Sequence, residues 1–218
     1  MKKVVLFDLD GTLIDSAEGI TRSAQYALGH FGIEEKEIER LRFFIGPPLM
    51  YTFQEKYGFS PEKAREAIEK YRERYNAKGI FECALYPGVK ECLRELRQRG
   101  YWIGLASSKP EVACRRILEH FEILEYFDEV AGATLDGRID TKEQVLQELF
   151  RRAGDCAKED MILIGDTMFD IHGANQVGIR SAAVDFGFGN ANEMLAGGAV
   201  FVCKHLQTLP QLLEEYYA

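Results

Sequence analysis

The sequence predicts an α/β fold in which a parallel β-sheet core carries an inserted all-helical domain. Strand-length apolar runs alternate with helical patterns along most of the 218 residues, and this alternation is typical of parallel sheets with crossover helices. The apolar runs are nearly continuous, which indicates strands buried on both faces of a sheet. Residues 16–84 break the alternation, because they show helical patterns and no convincing strand.

The elements of the core follow from these patterns in chain order. Strands are predicted at residues 4–7, 102–106 and 161–164, with weaker candidates at 181–184 and 199–202. Asp140-Thr141 is a plausible N-cap for a helix that ends near Ala153, with Glu143 or Gln144 in its first turn. Apolar stripes with helical spacing indicate three helices; the stripes are Val89, Cys92, Leu93 and Leu96, then Val145, Leu146, Leu149, Phe150 and Ala153, and finally Leu206, Leu209, Leu212, Leu213 and Tyr216.

The helical stretch is too long to be a simple crossover between two neighbouring strands. One helix is predicted from the stripe of Ile20, Ala24, Ala27 and Leu28, and a second, long helix begins at Pro61. Some seventy residues between the first and second strands exceed an ordinary connection several-fold. We therefore expect a helical domain at residues 16–84 and a core domain formed by residues 1–15 and 85–218.

Composition and charge exclude several classes of protein. The chain is 46% apolar, which excludes disorder, and its net charge of −8 disfavours a nucleic-acid polymer as a partner. No apolar run approaches the ~18 residues of a membrane span, and no secretory segment is evident. We expect a cytoplasmic protein, a monomer or weak homodimer, with reduced thiols; its cysteines are interpreted as small core residues, namely Cys83, Cys92, Cys114, Cys156 and Cys203.

Polar side chains follow three of the predicted strands, where ligands bind in open α/β sheets. Several of these side chains are carboxylates, and two negative charges ~4 Å apart repel by about 4 kcal/mol at an effective dielectric near 20. A hard divalent cation with oxygen ligands would relieve this repulsion, and Mg²⁺ typically combines a few carboxylates with substrate phosphate. The side chains concerned are Asp8 and Asp10 after the first strand, Ser107, Ser108 and Lys109 after the second, and Asp166 and Asp170 after the third.

These motifs resemble those of the haloacid dehalogenase-like hydrolases. Asp8-Leu9-Asp10-Gly11-Thr12-Leu13 matches the DxDGT signature, and the segment from Gly165 to Asp170 resembles a later motif of that superfamily. The helical stretch resembles the cap that the phosphoglycolate-phosphatase-like branch inserts after its first motif. The resemblance implies a Rossmann-like core with a helical cap, and a Mg²⁺-dependent phosphatase of small phosphorylated metabolites, of the phosphoglycolate or nucleotide type.

The resemblance also implies roles for individual residues. Asp8 would attack phosphorus and become an aspartyl-phosphate, Asp10 would serve as general acid and then base, and Ser107 would bind a phosphoryl oxygen. Mg²⁺ would be held by Asp8, the backbone carbonyl of Asp10 and Asp166, with Asp170 binding it directly or through its waters. Gly11 and Thr12 would shape the loop. Residues expected to contact substrate are Thr12, Ser108, Lys109, Gly46 and Pro47.

Two questions stay open at the level of the sequence. The family places its charge-neutralising lysine in a Lys-Pro pair, whereas this chain has Thr141-Lys142-Glu143 there; we favour Lys142, and Lys109 is the alternative. The same machinery would also suit a pyrophosphatase or a phosphomutase, and a non-catalytic Mg²⁺-binding module is a further alternative. His172 is interpreted as a helix-surface residue, and Gly187-Phe188-Gly189 lacks the third glycine of a dinucleotide-binding fingerprint.

Overall fold

The computed structural model describes residues 3–154 and 157–217, and the chain divides into two compact units. Unit 1 comprises Met1–Ile14 and Leu85–Ala218, and unit 2 comprises Asp15–Ala84. The first boundary lies one residue earlier than the sequence suggested. Cys156, which we interpreted as a core residue, lies outside the described residues.

Eight strands and nine α-helices are present in the described part of the chain. The strands are β1 (Val4–Phe7), β2 (Ile14–Asp15), β3 (Ala84–Leu85), β4 (Trp102–Pro110), β5 (Glu129–Ala133), β6 (Met161–Gly165), β7 (Arg180–Val184) and β8 (Val202–Cys203). The helices are α1 (Ala17–His30), α2 (Leu49–Tyr57), α3 (Pro61–Ala77), α4 (Val89–Gln98), α5 (Glu111–His120), α6 (Lys142–Ala153), α7 (Met168–Val177), α8 (Ala191–Ala196) and α9 (Leu209–Tyr217).

The core of unit 1 is a six-stranded parallel sheet in the order β5-β4-β1-β6-β7-β8. β1 is central, and Val4 stands in register with Trp102 of β4 and with Met161 of β6. All four residues of β1 are buried, as their apolar character predicts for a strand covered on both faces. Because every strand runs in the same direction, the residues that follow β1 and β6 meet at one edge of the sheet.

Helices pack on the sheet through apolar side chains. Val145, Leu146 and Leu149 of α6 pack with Val4 and Leu6 of β1 in one buried cluster. The stripes predicted for α4 and α6 are confirmed. Thr141 caps α6, and Gln144 completes a capping box, since each of these two side chains accepts a hydrogen bond from the other's backbone N–H at 3.3 Å.

The predicted fold class is confirmed, but the structure differs from the predicted strands in three places. β4 continues through Ser107 and Lys109 to Pro110, where we expected a loop. β5 was missed, because Glu129–Ala133 is rich in alanine and glycine and has little intrinsic strand propensity. The strand expected at residues 199–202 is confined to Val202–Cys203.

Unit 2 is helical between its two ends. α1 approaches the 3₁₀-helix at Gly79–Phe81 closely, since a Cβ at Gly19 of α1 would overlap the Gly79 carbonyl oxygen. α3 begins at Pro61, as the sequence predicted, and Ser60 caps it. Arg74 and Glu82 form an ion pair at 2.7 Å. In the described part of the chain, none of the helices combines the length and hydrophobicity that a membrane crossing requires.

Candidate active site

The turn after β1 positions two carboxylates. The backbone N–H of Asp8 donates to Ile164 of β6 at 2.9 Å, so Asp8 is the last residue held by the sheet. The chain then turns tightly around the Leu9 carbonyl, which accepts hydrogen bonds from the N–H groups of residues 12, 13 and 14. Gly11 has φ +82°, a conformation that side chains other than glycine rarely adopt. This turn places Asp10 beside Asp8 without extending the strand.

Lys142 reaches Asp8 from the first turn of α6. Its Nζ lies 2.8 Å from Asp8 Oδ1, 2.8 Å from Asp170 Oδ1 and 2.8 Å from the Ala106 carbonyl oxygen. The side chain is only 5% exposed. Gly173 of α7 makes room for it, because a Cβ there would lie 2.5 Å from Lys142 Cγ. The lysine is therefore fixed between two carboxylates.

Asp166 and Asp170 complete a cluster of acidic groups. Asp166 follows β6, and its Oδ2 accepts a hydrogen bond from the Phe188 backbone N–H at 2.8 Å. Asp170 lies on α7, and its Oδ2 accepts from the backbone N–H and the hydroxyl of Thr167, both at 3.1 Å. Each of the two residues is 1% exposed.

This cluster fits a divalent metal ion. One carboxylate oxygen from each of Asp8, Asp166 and Asp170 lies within 4.8 Å of the other two. Asp166 Oδ1 is buried, and no residue in the described ranges offers it a hydrogen bond. Buried carboxylate oxygens are normally satisfied, so an oxygen without a donor beside two further carboxylates matches a hard cation such as Mg²⁺. The carboxylate of Asp10 does not join this group.

Burial and crowding dominate the electrostatics of the cluster. Burial raises the pKa of Asp8 to about 6; Lys142 acts in the opposite direction and Asp170 adds to the increase. Burial, followed by the charges of Asp170 and Asp8, raises the pKa of Asp166 well above its ordinary value. Burial acts to lower the pKa of Lys142, but the charges of Asp170 and Asp8 outweigh it and raise that pKa. The lysine is thus a permanent cation in the site.

The second lysine that the sequence singled out also lies here. Lys109 Nζ is 2.7 Å from Asp10 Oδ2, and the two side chains are 6% and 12% exposed. Ser107 is 2% exposed, and its hydroxyl accepts a hydrogen bond from the Lys109 backbone N–H at 3.3 Å. The structure therefore pairs Lys142 with Asp8 and Lys109 with Asp10.

The sequence matches the haloacid dehalogenase-like hydrolase family over residues 5–184. The chain belongs to this family. The prediction that it is an enzyme, a phosphatase of this family, is confirmed.

Several relatives span the whole chain. A 5'-nucleotidase of Pseudomonas aeruginosa is 42% identical, over 97% of this chain and 96% of its own. The tyrosine-protein kinase PtkA of Mycobacterium tuberculosis is 36% identical, over 97% of this chain and 72% of its own. A phosphoglycolate phosphatase of Cereibacter sphaeroides is 30% identical, over 98% and 99%. The crystal structure of a predicted phosphatase from Clostridium acetobutylicum superimposes with a TM-score of 0.94 at 40% identity, covering 99% of both chains.

Among the other predicted site residues, some lie in unit 1 and two in unit 2. Thr12 is completely buried, and its hydroxyl has no partner within residues 3–154 and 157–217. Ser108 is half-buried on β4. Gly46, with φ +100°, and Pro47 lie in unit 2 between a 3₁₀-helix at Ile38–Phe44 and α2. Their contact with substrate stays a prediction.

His172 is exposed on α7, so its interpretation as a surface residue is confirmed.

Sequence reasoning missed the segment after β7 as part of the site of this hydrolase. A Cβ at Gly187 would overlap Asp166 Cβ, and one at Gly189 would overlap the Asp166 carbonyl oxygen. The two glycines thus let the backbone close over Asp166, so that the Phe188 N–H can bind it. The available signal was a pair of glycines just beyond a strand, at the edge where the other motifs lie.

Proposed function

We propose that this chain is a Mg²⁺-dependent phosphomonoesterase that forms an aspartyl-phosphate on Asp8. The observation that carries the proposal is the arrangement around Asp8: a cation 2.8 Å away on Lys142, and two further buried carboxylates within metal-binding distance. A carboxylate repels a phosphate dianion, so it needs positive charge on both sides to act as a nucleophile.

Asp8, Asp166 and Asp170 would hold the metal, with the Asp10 backbone carbonyl as a further ligand. Bound Mg²⁺ supplies positive charge that neutralises and orients the phosphoryl group. The unsatisfied Asp166 Oδ1 supports this assignment, because the Phe188 N–H already occupies Oδ2 and leaves Oδ1 for a ligand.

The chain's own groups account for the two chemical steps. In the first, a carboxylate oxygen of Asp8 bonds to phosphorus, the ester P–O bond breaks, and Asp10 gives its proton to the leaving oxygen. In the second, Asp10 takes a proton from a water molecule, the oxygen of this water bonds to phosphorus, and the bond between Asp8 and phosphorus breaks. Lys142 offsets the charge on Asp8 and the transferred group throughout. The Ser107 hydroxyl would bind a phosphoryl oxygen.

Nucleoside 5'-monophosphates are the substrate class that we rank first. The 5'-nucleotidase shares 42% of its residues with this chain, against 30% for the phosphoglycolate phosphatase. Both names refer to the hydrolysis of small phosphate monoesters, a class of substrate that the site chemistry suits. A cytoplasmic location and a monomeric or weakly dimeric state stay predictions.

Phosphate release from a panel of compounds tests the proposal. The panel contains nucleoside 5'-monophosphates, phosphoglycolate, sugar phosphates and pyrophosphate, each with Mg²⁺ and with EDTA. We expect release from monoesters with Mg²⁺ only, and none from Asp8→Asn.

Three other outcomes would contradict the proposal. Preference for pyrophosphate would identify a pyrophosphatase. Isomerisation of a sugar phosphate, dependent on a bisphosphate, would identify a mutase. Retained Mg²⁺ binding without any turnover would identify a non-catalytic binding module.

A further inference from the structure

The second buried ion pair of the site joins Lys109 to Asp10 and leaves half of the Asp10 carboxylate open. Lys109 Nζ contacts Asp10 Oδ2 at 2.7 Å. Asp10 Oδ1 is also buried, and within the described residues no group donates a hydrogen bond to it. The two oxygens of one carboxylate therefore stand in different environments.

An irregularity in β4 directs Lys109 toward Asp10. The pairing of β4 with β5 shifts register between Ser107 and Pro110, which is the behaviour of a β-bulge. Bulges of this kind re-aim side chains beside active sites. Without the shift, side chains along β4 would simply alternate between the two faces of the sheet.

Neighbouring groups hold the bulge in place. The Ser107 hydroxyl accepts from the Lys109 backbone N–H at 3.3 Å, and the Cys114 thiol donates to the Lys109 carbonyl at 3.6 Å. Gly132 of β5 faces the bulge, and a Cβ there would lie 2.6 Å from the Lys109 carbonyl oxygen and 2.6 Å from Glu111 Cα. The absence of a side chain at Gly132 thus permits this backbone path.

We propose that Lys109 is a positioning residue for Asp10, which it holds by Oδ2 so that Oδ1 alone exchanges the proton with the leaving oxygen and with water. This inference rests on the role of Asp10 in the proposed function. Lys109 can donate to Oδ2 whether Asp10 is charged or carries a proton on Oδ1. A general acid depends on such orientation, because small misplacements of a reacting group cost large factors in rate.

A stabilising ion pair without a catalytic consequence is the competing explanation. Buried ion pairs often contribute little net stability, since desolvation offsets the attraction between the charges. Stability measurements alone therefore cannot separate the two explanations. The dependence of activity on the leaving group does separate them. A residue that acts through the general acid affects esters with poor leaving groups more than esters with good ones.

The test measures kcat/KM for phenyl phosphate and 4-nitrophenyl phosphate with Mg²⁺. Neither ester has an anionic group besides its phosphate, so a lysine that only binds substrate would affect both esters equally. Phenolate is a poorer leaving group than 4-nitrophenolate and therefore depends more on a proton from the general acid. We expect Asp10→Asn to lose about 100-fold more activity on phenyl phosphate than on the nitro ester, in the range of general-acid effects. Lys109→Met should show the same selectivity, about tenfold, with little change in KM.

Two control variants and a double variant complete the experiment. Lys142→Met should lose activity on both esters alike, and exposed Lys90→Met should lose none. Adding Lys109→Met to Asp10→Asn should cause no further loss, because Lys109 acts through Asp10. If Lys109→Met does not fold, as judged by circular dichroism, Lys109→Gln replaces it.

Equal losses on the two esters for the Lys109 variant, or a further loss in the double variant, would overturn the inference while leaving the proposed function in place. If Asp10→Asn shows no leaving-group selectivity, the result would overturn both the inference about Lys109 and the general-acid role of Asp10 in the proposed function.

Discussion

At the scale of single residues, the burial of Asp8 opposes the two roles that we propose for it, nucleophile and metal ligand. Burial raises its pKa to about 6, with Lys142 opposing the increase. A nucleophile must be ionised, and so must a metal ligand. In the proposed function, protons and Mg²⁺ would therefore compete for the Asp8 carboxylate. This competition would fall within a pH range that solution experiments reach easily.

Mg²⁺ affinity should fall as the pH drops below about 6. In metal-free protein Asp8 is increasingly protonated below that pH, so binding must displace a proton, and affinity should decrease by up to about tenfold per pH unit. Calorimetric titration of Mg²⁺ at about pH 7.5 and about pH 5 measures the effect. An affinity that is the same at both pH values would contradict the electrostatic assignment.

The same shift predicts how stability depends on pH. A carboxyl group whose pKa is higher in the folded state contributes stability at low pH, and this contribution is lost as the pH rises through about 6. Asp8→Asn removes the effect. Without metal, the free energy of unfolding of Asp8→Asn relative to the native protein should therefore increase between about pH 4 and pH 7. A difference that stays constant, or decreases, would count against burial as the dominant cause.

At the scale of elements, the Gly187-Phe188-Gly189 segment after β7 packs closely on Asp166 and fixes its orientation. Gly187 has no room for a side chain, because a Cβ would overlap Asp166 Cβ and lie 2.5 Å from the Gly11 carbonyl oxygen. The segment thus links the β1 turn to the end of β6, and its Phe188 N–H fixes which oxygen of Asp166 stays open.

Gly187→Ala should fold yet bind Mg²⁺ at least about tenfold more weakly, since loss of an orienting partner typically costs 10–100-fold in metal affinity. Gly29→Ala is the matched control, because a Cβ at Gly29, in α1, would meet nothing within 4 Å. That variant should keep its metal affinity and be as stable as the native protein or slightly more so. Equal metal affinity in the two variants would show that metal binding does not need the close packing of this segment on Asp166.

Local sequence patterns explain which elements could be predicted. β1 and β6 are continuous apolar runs, and the helix from Lys142 has both a cap and an apolar stripe, so local chemistry and tertiary packing agree there. β5 and the bulge of β4 could not be read in this way. A glycine is needed at position 132 only because the Lys109 backbone of β4 passes close to it, and this proximity arises only in the assembled sheet.

The same limit applies to the site. The motif order was sufficient to select Asp8, Asp10, Asp166 and Asp170 as residues of one edge. It did not reveal that Lys142 and Lys109 each pair with a different aspartate, because both contacts depend on side-chain direction between elements far apart in sequence. Residues this far apart in the sequence meet only once the sheet has formed.

At the scale of the whole molecule, the buried acidic cluster would couple metal binding to the stability of the fold. Three carboxylates crowd at the edge of the sheet that forms the core of unit 1. Lys142 supplies one positive charge against them. The metal-free protein therefore folds against electrostatic repulsion that a divalent cation would remove.

Mg²⁺ should raise the thermal unfolding midpoint of the protein. A ligand that binds only the folded state stabilises it by about 2.7 kcal/mol at 100 times its dissociation constant. Differential scanning calorimetry with Mg²⁺ and with EDTA measures the shift, and Asp166→Asn, which removes a proposed ligand, should reduce it. A shift of full size in that variant would exclude Asp166 from the metal site.

The most direct test of the central claim is to identify the phosphorylated residue. Protein quenched during turnover with Mg²⁺ and a reactive monoester is reduced with borohydride, which converts an aspartyl-phosphate to homoserine, and the peptides are sequenced by mass spectrometry. We predict homoserine at position 8 in the native protein, more of it in Asp10→Asn because the second step is slowed, and none in Asp8→Asn. Homoserine at another aspartate, or turnover without any at position 8, would contradict the proposed mechanism.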